Sequence, residues 1–100
     1  MDMYELLGKD SPEKIRKGVA EKFKMCRKIK HITQIELAEK SMVKYGTIRH
    51  FEQTGKISLT SLIFLAEALD MMDDFKLLFN PTKHRTREDM INEFNRHTSK

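Results

Sequence analysis

The 100-residue chain has one cysteine, Cys26, no tryptophan, two prolines and four glycines. A lone thiol cannot close an internal disulfide and fits a reducing cytoplasm. Apolar runs are too short to span a bilayer, and Met1-Asp2-Met3-Tyr4-Glu5 lacks the basic flank and apolar stretch of a secretory leader. No alternating pattern of strand length occurs. His31, His50, His84 and His97 show no metal-ligand spacing with Cys26 or with one another. Nor is there a glycine-rich phosphate loop or a Ser/His/Asp arrangement. The seven methionines are scattered gap-fillers. These absences predict a cytoplasmic chain with no catalytic residues, no metal and no cofactor.

What is present fits one small domain. Apolar residues make up 39% and charged residues 34%, well clear of the disordered class. A domain of this size folds alone with little margin, so pairing with a second copy would add stability. The net charge of +4 is unevenly spread. Residues 14–56 hold twelve Lys/Arg against Glu21, Glu36, Glu39 and Glu52, a net +8, while 1–13 and 57–80 are each net −3. A basic block between acidic flanks suggests a footprint for phosphate, although an ordinary solvated surface accounts for charge alone equally well.

Helix signals recur along the chain. Residues 1–9 read as an arm or short helix. Asp10 or Ser11 then caps a helix over about 12–30, with Pro12 in its first turn and Ile15, Val19, Phe23, Cys26 and Ile29 as its apolar stripe. Thr33-Gln34-Ile35-Glu36 is a capping box that opens a second helix, with Leu37 and Ala38 inward. A third covers 44–53, with Ile48 and Phe51 buried and Gly55 past its end. Ser58 caps a fourth, whose stripe is Leu59, Leu62, Ile63, Ala66 and Leu69. Asp73 or Asp74 caps a fifth that carries Phe75, Leu78 and Phe79 and closes at Pro81. Thr86-Arg87-Glu88-Asp89 resembles one more helix start, leading to Met90, Ile91 and Phe94. The domain proper is thus 10–80, and 81–100 is a tail that docks on the domain or a twin, binds another protein, or stays disordered.

The stretch from Thr33 to Gly55 places two short helices across the brief connection Ser41-Met42-Val43, with shared apolar contacts. That is the helix-turn-helix layout, in which the second helix enters the major groove by its leading end. The stretch resembles the Cro/CI-type (XRE) helix-turn-helix family through Arg27, Thr33-Gln34-Ile35-Glu36-Leu37-Ala38, Val43 and Ile48-Arg49-His50-Phe51-Glu52, followed by Ser58 to Leu69. The likeness covers roughly residues 20–70. It implies an all-α, five-helix lambda-repressor-like DNA-binding domain with a short C-terminal helical tail. The further runs Phe51-Glu52-Gln53-Thr54-Gly55-Lys56-Ile57-Ser58-Leu59 and Asp73-Asp74-Phe75-Lys76-Leu77-Leu78-Phe79 are similar to HipB-like antitoxin regulators.

The resemblance also implies roles. Thr33 and Gln34 would meet a DNA phosphate, and Lys44, Thr47 and Lys56 would hold the backbone without reading sequence. Tyr45, Gly46, Arg49 and His50 would face base edges, with Arg49 bidentate to guanine at ~1–3 kcal/mol of discrimination. The alternative is that Arg49 and His50 are simple solvated surface residues and that Tyr45 packs on the preceding helix. Gly46 costs ~1 kcal/mol against alanine in a helix, and either admits DNA closely or softens the helix start. Arg27 and Glu52 correspond to a recurring structural ion pair that orients the recognition helix. Two positions depart from the family, which favours glycine where this chain has Met42 and His31. A left-handed backbone at a non-glycine residue costs ~1–2 kcal/mol, so Met42 is strained or the turn takes another path.

Together these readings predict a dimeric transcriptional regulator, an autorepressor, bound to double-stranded DNA at an inverted repeat. The alternative is an antitoxin-like module that neutralises a partner toxin, with DNA binding secondary. A third reading, non-specific nucleoid or RNA binding, predicts a steep salt slope with no preferred sequence.

Overall fold

A computed structural model describes residues 2–81, 91–92 and 94–96. The expected Thr86–Asp89 helix start and Met90 lie outside the described residues. Residues 91–92 and 94–96 are helical, with Ile91 and Phe94 exposed. Between residues 2 and 81 run α1 (Met3–Leu6), α2 (Pro12–Ile29), α3 (Gln34–Ser41), α4 (Tyr45–Thr54), α5 (Leu59–Ala68) and α6 (Met72–Lys76). The domain is all-α, and no strand occurs among the described residues.

Local chemistry sets most helix ends. Ser11, not Asp10, caps α2 by accepting the Lys14 N–H, while Pro12 takes the first position, where no N–H is needed. Thr33 and Glu36 complete the expected capping box of α3, each side chain accepting the other's backbone N–H at 3.1 Å. Ser58 caps α5 through the Ser61 N–H. Left-handed residues follow five helices: Gly8 (φ 69) just after α1, His31 (φ 56) just after α2, Met42 (φ 63) after α3, Gly55 (φ 77) after α4 and Asp70 (φ 55) just after α5. Of the two alternatives for the turn, Met42 itself adopts the left-handed conformation and carries the strain.

The core is built from Ala20 and Phe23 of α2, Leu37 of α3, Val43 of the turn, Ile48 and Phe51 of α4, and Leu65 and Leu69 from α5 and its end. Phe23 meets Phe51 edge-on at 5.5 Å between ring centres, which packs α2 against α4.

Three expectations need correction. The buried side of α2 is Ala20, Phe23 and Arg27, whereas Ile15, Val19 and Ile29 are exposed and Cys26 is half-buried. On α5, Leu65 is fully buried and Leu59 is exposed, because a helix apolar on nearly every side leaves tertiary packing to choose its inner face. The fifth predicted helix is short. Asp73 and Asp74 sit inside the first turn of α6 rather than capping it, and Phe79 ends up 82% exposed at φ 57.

Candidate nucleic-acid interface

The outer side of α4 is bare. Lys44, its N-cap residue, makes no side-chain cap bond, and no acidic residue lies in the first turn. By contrast α2, α3 and α5 each begin on a hydroxyl cap. The Thr47 N–H bonds the Lys44 carbonyl at 3.0 Å, but no side chain caps this turn, so its partial positive charge is left unopposed for an anion. Tyr45, Gly46, Arg49 and His50 are exposed, whereas Ile48 and Phe51 on the opposite side are buried. Tyr45 thus stands away from the core. Thr47 is half-buried, and Lys44 and Lys56 are exposed at the two ends. No ion pair among the described residues engages Lys44, Arg49 or Lys56.

Gly46 has φ in the ordinary helical range, and a Cβ built on it meets no atom within 4 Å. Neither backbone conformation nor internal space requires glycine there.

Beneath this surface Arg27 and Glu52 form a two-pronged pair. Arg27 Nε donates to Glu52 Oε2 at 2.7 Å and Nη2 to Oε1 at 2.8 Å. The residues are only 7% and 9% exposed, so the pair is shielded from water and salt. The third guanidinium nitrogen, Nη1, donates to the Ile32 carbonyl at 2.8 Å, tying down the loop before α3. The hydrogen bonds that Arg27 donates to Glu52 hold the Arg27 pKa above its ordinary value, against the opposing effect of burial. No buried side-chain nitrogen or oxygen among the described residues is left without a partner.

Gln34 adds an unexpected tie. Its amide Nε2 donates to Glu52 Oε1 at 3.1 Å, so the start of α3 and the end of α4 meet on one carboxylate. Thr33 is exposed, and Gln34 is half-buried. Sequence reading also missed Arg16, whose Nε donates to the Thr54 carbonyl at 3.3 Å across 38 residues. No local signal marks a bond of that span.

Among the described residues no group of three or more His, Cys, Asp or Glu could hold a metal ion, and no helix is long and apolar enough to cross a membrane.

Helix α4, its leading end uncapped beside Lys44 and its body fixed from below by the buried Arg27–Glu52 pair, forms a helix-turn-helix with α3. Residues 23–71 match the helix-turn-helix family model, and that segment is an XRE-type helix-turn-helix domain of DNA-binding, transcription-regulator type. Families of this kind typically bind DNA without catalysing a reaction. Neither the comparison with curated proteins nor that with solved structures gave a match.

Proposed function

We propose that the protein is a dimeric, sequence-specific repressor that reads the major groove with α4. The supporting observation is the division of that helix into a buried side and an exposed side whose Tyr45, Arg49 and His50 side chains make no hydrogen bond or ion pair among the described residues. Arg49 reaches a guanine edge, and Tyr45 and His50 contact neighbouring bases. Gly46 lets the helix backbone approach the duplex. Thr33 and Gln34 at the start of α3, with Lys44, Thr47 and Lys56, hold phosphates and set register.

Dimerisation suits a single domain whose own footprint gives weak affinity. Exposed Leu59 and Phe64 of α5 and exposed Leu77, Leu78 and Phe79 after α6 supply apolar area for it. Two copies on an inverted repeat would place their recognition helices about 34 Å apart in successive major grooves.

Selection of bound duplexes from a random pool, at stated salt, tests the reading. Enrichment of an inverted repeat with half-sites about 10 base pairs apart is the expected result. Binding that falls steeply with salt and prefers no sequence would replace it with general nucleic-acid binding.

The second reading is an antitoxin-like module that captures a toxin. The observation favouring it is the exposed apolar side of α2, formed by Ile15 and Val19, which the protein's own core does not use. Selective capture of a toxin encoded beside this gene, together with absence of an enriched duplex, would favour it over the regulator.

A further inference from the structure

We propose that Arg16 is a positioning residue for the recognition helix, and that the first turns of α2, which precede the matched segment 23–71, brace the corner between α4 and α5. Its consequence for DNA rests on the reading of α4 given above, but its structural half can be tested without DNA.

Three contacts converge on that corner. Arg16 Nε donates to the carbonyl of Thr54, the last residue of α4, at 3.3 Å. Carbonyls in a final helical turn lack intrahelical donors, so this bond fills a vacancy that the helix itself cannot fill. The Thr54 hydroxyl donates back to the His50 carbonyl at 2.7 Å and accepts the Lys56 N–H at 3.1 Å. One threonine thus links the end of α4 to the residue that leads away from it. Gly55 supplies the third contact. A Cβ there would stand 2.6 Å from the Arg16 carbonyl oxygen and Cγ, and 2.7 Å from its carbonyl carbon. The backbones touch directly, so Gly55 is needed for space as well as for its φ of 77°.

With Arg27 the effect is mechanical. Arg27 grips α4 through the Glu52 carboxylate, and Arg16 grips it through the Thr54 carbonyl. A single polar attachment lets a rod swivel about it, whereas a second one on the same helix limits the swivel. Ten residues at about 1.5 Å each make α4 about 15 Å long, so a tilt of about 10° at its far end moves the leading end by over ~2 Å. Paired hydrogen bonds to a base edge, confined to about 2.7–3.2 Å, do not survive such a displacement.

The test compares Arg16→Met, which keeps the aliphatic stem but removes every donor, with Arg16→Lys, which keeps the charge and one donor. Both are made in the full chain. In the free protein, Arg16→Met is expected to shift amide resonances along Tyr45–Gln53, and Arg16→Lys to restore most of them. Discrimination between the selected duplex and a scrambled one should fall about tenfold in Arg16→Met, the scale of one charge-assisted hydrogen bond. The proposal is overturned if resonance changes stay within residues 54–56 while discrimination is unaltered. It is likewise overturned if the salt slope alone drops by about one unit, since that marks Arg16 as a phosphate contact. If the wild-type chain prefers no duplex, the DNA reading falls, and the resonance map still decides whether Arg16 sets α4. Should Arg16→Met fold poorly, Arg16→Gln replaces it, because its amide stops short of the Thr54 carbonyl and the same outcomes apply.

Discussion

Gln34 and Glu52, 18 residues apart, share a hydrogen bond of 3.1 Å on the carboxylate that already receives two donors from Arg27. One acid therefore joins the helix proposed to hold a phosphate to the helix proposed to read bases.

Breaking that junction should be expensive. Glu52→Gln leaves the Arg27 guanidinium buried without its counter-charge, and a loss of about 3–5 kcal/mol in urea unfolding is expected. The double replacement Arg27→Met with Glu52→Leu should recover much of that loss, because no buried charge remains. A single variant costing under about 1 kcal/mol would mean that the pair opens to water in solution.

Met42 is 90% exposed at φ 63, so its side chain gains little from packing while its backbone is strained. Met42→Gly should raise stability by about 1 kcal/mol, seen as a higher urea midpoint at unchanged slope. A lower midpoint would show that the thioether makes a stabilising contact.

Gly46→Ala should move two measurements in opposite directions. Helix propensity favours alanine by up to about 1 kcal/mol, and no internal atom obstructs the new methyl. Thermal unfolding should rise while affinity for the selected duplex falls. Equal or tighter DNA binding would remove Gly46 from the proposed contact surface.

Glu36 links stability to pH. Its carboxylate accepts the Thr33 N–H, and that bond, followed by the Thr33 hydroxyl, lowers its pKa from the ordinary 4.5. A carboxyl whose folded pKa lies below its unfolded one stabilises the fold above the unfolded value, and the benefit disappears as pH falls through the folded value. The wild-type unfolding midpoint should therefore drop below about pH 4.5 more steeply than that of Glu36→Gln. Parallel curves would show that the capping box is not formed in solution.

Arg49→Ala should leave unfolding unchanged, since Arg49 is exposed and in no ion pair among the described residues, and should weaken discrimination at one position of the site by ~1–3 kcal/mol. Uniform weakening across all duplexes would reassign Arg49 to the phosphate backbone.

Local signals were legible in the sequence because their causes lie within a few residues. The Thr33–Glu36 box, Pro12 behind Ser11, and Gly55 past the end of α4 each follow from backbone groups within one turn. The Arg27–Glu52 pair emerged from family likeness rather than periodicity, and the structure contains it. Which side of α2 faces inward was not legible. Ile15, Val19 and Cys26 share a helical spacing as good as that of Ala20, Phe23 and Arg27, and the choice is made by Phe51 and Glu52, 25 or more residues downstream. An arginine on the buried side is also invisible to a search for apolar stripes. The same distance hid Arg16, whose partner has no counterpart in local pattern.

The division of labour within α4 has an evolutionary consequence. Ile48 and Phe51 anchor the helix, while positions 45, 46, 49 and 50 are exposed. Exchanging those four residues should alter folding energy by no more than about half a kcal/mol per site, apart from the glycine. Under the proposed reading of α4, new binding preferences arise at almost no cost to the scaffold, and a library randomised at these positions should remain largely folded while its members diverge in what they recognise.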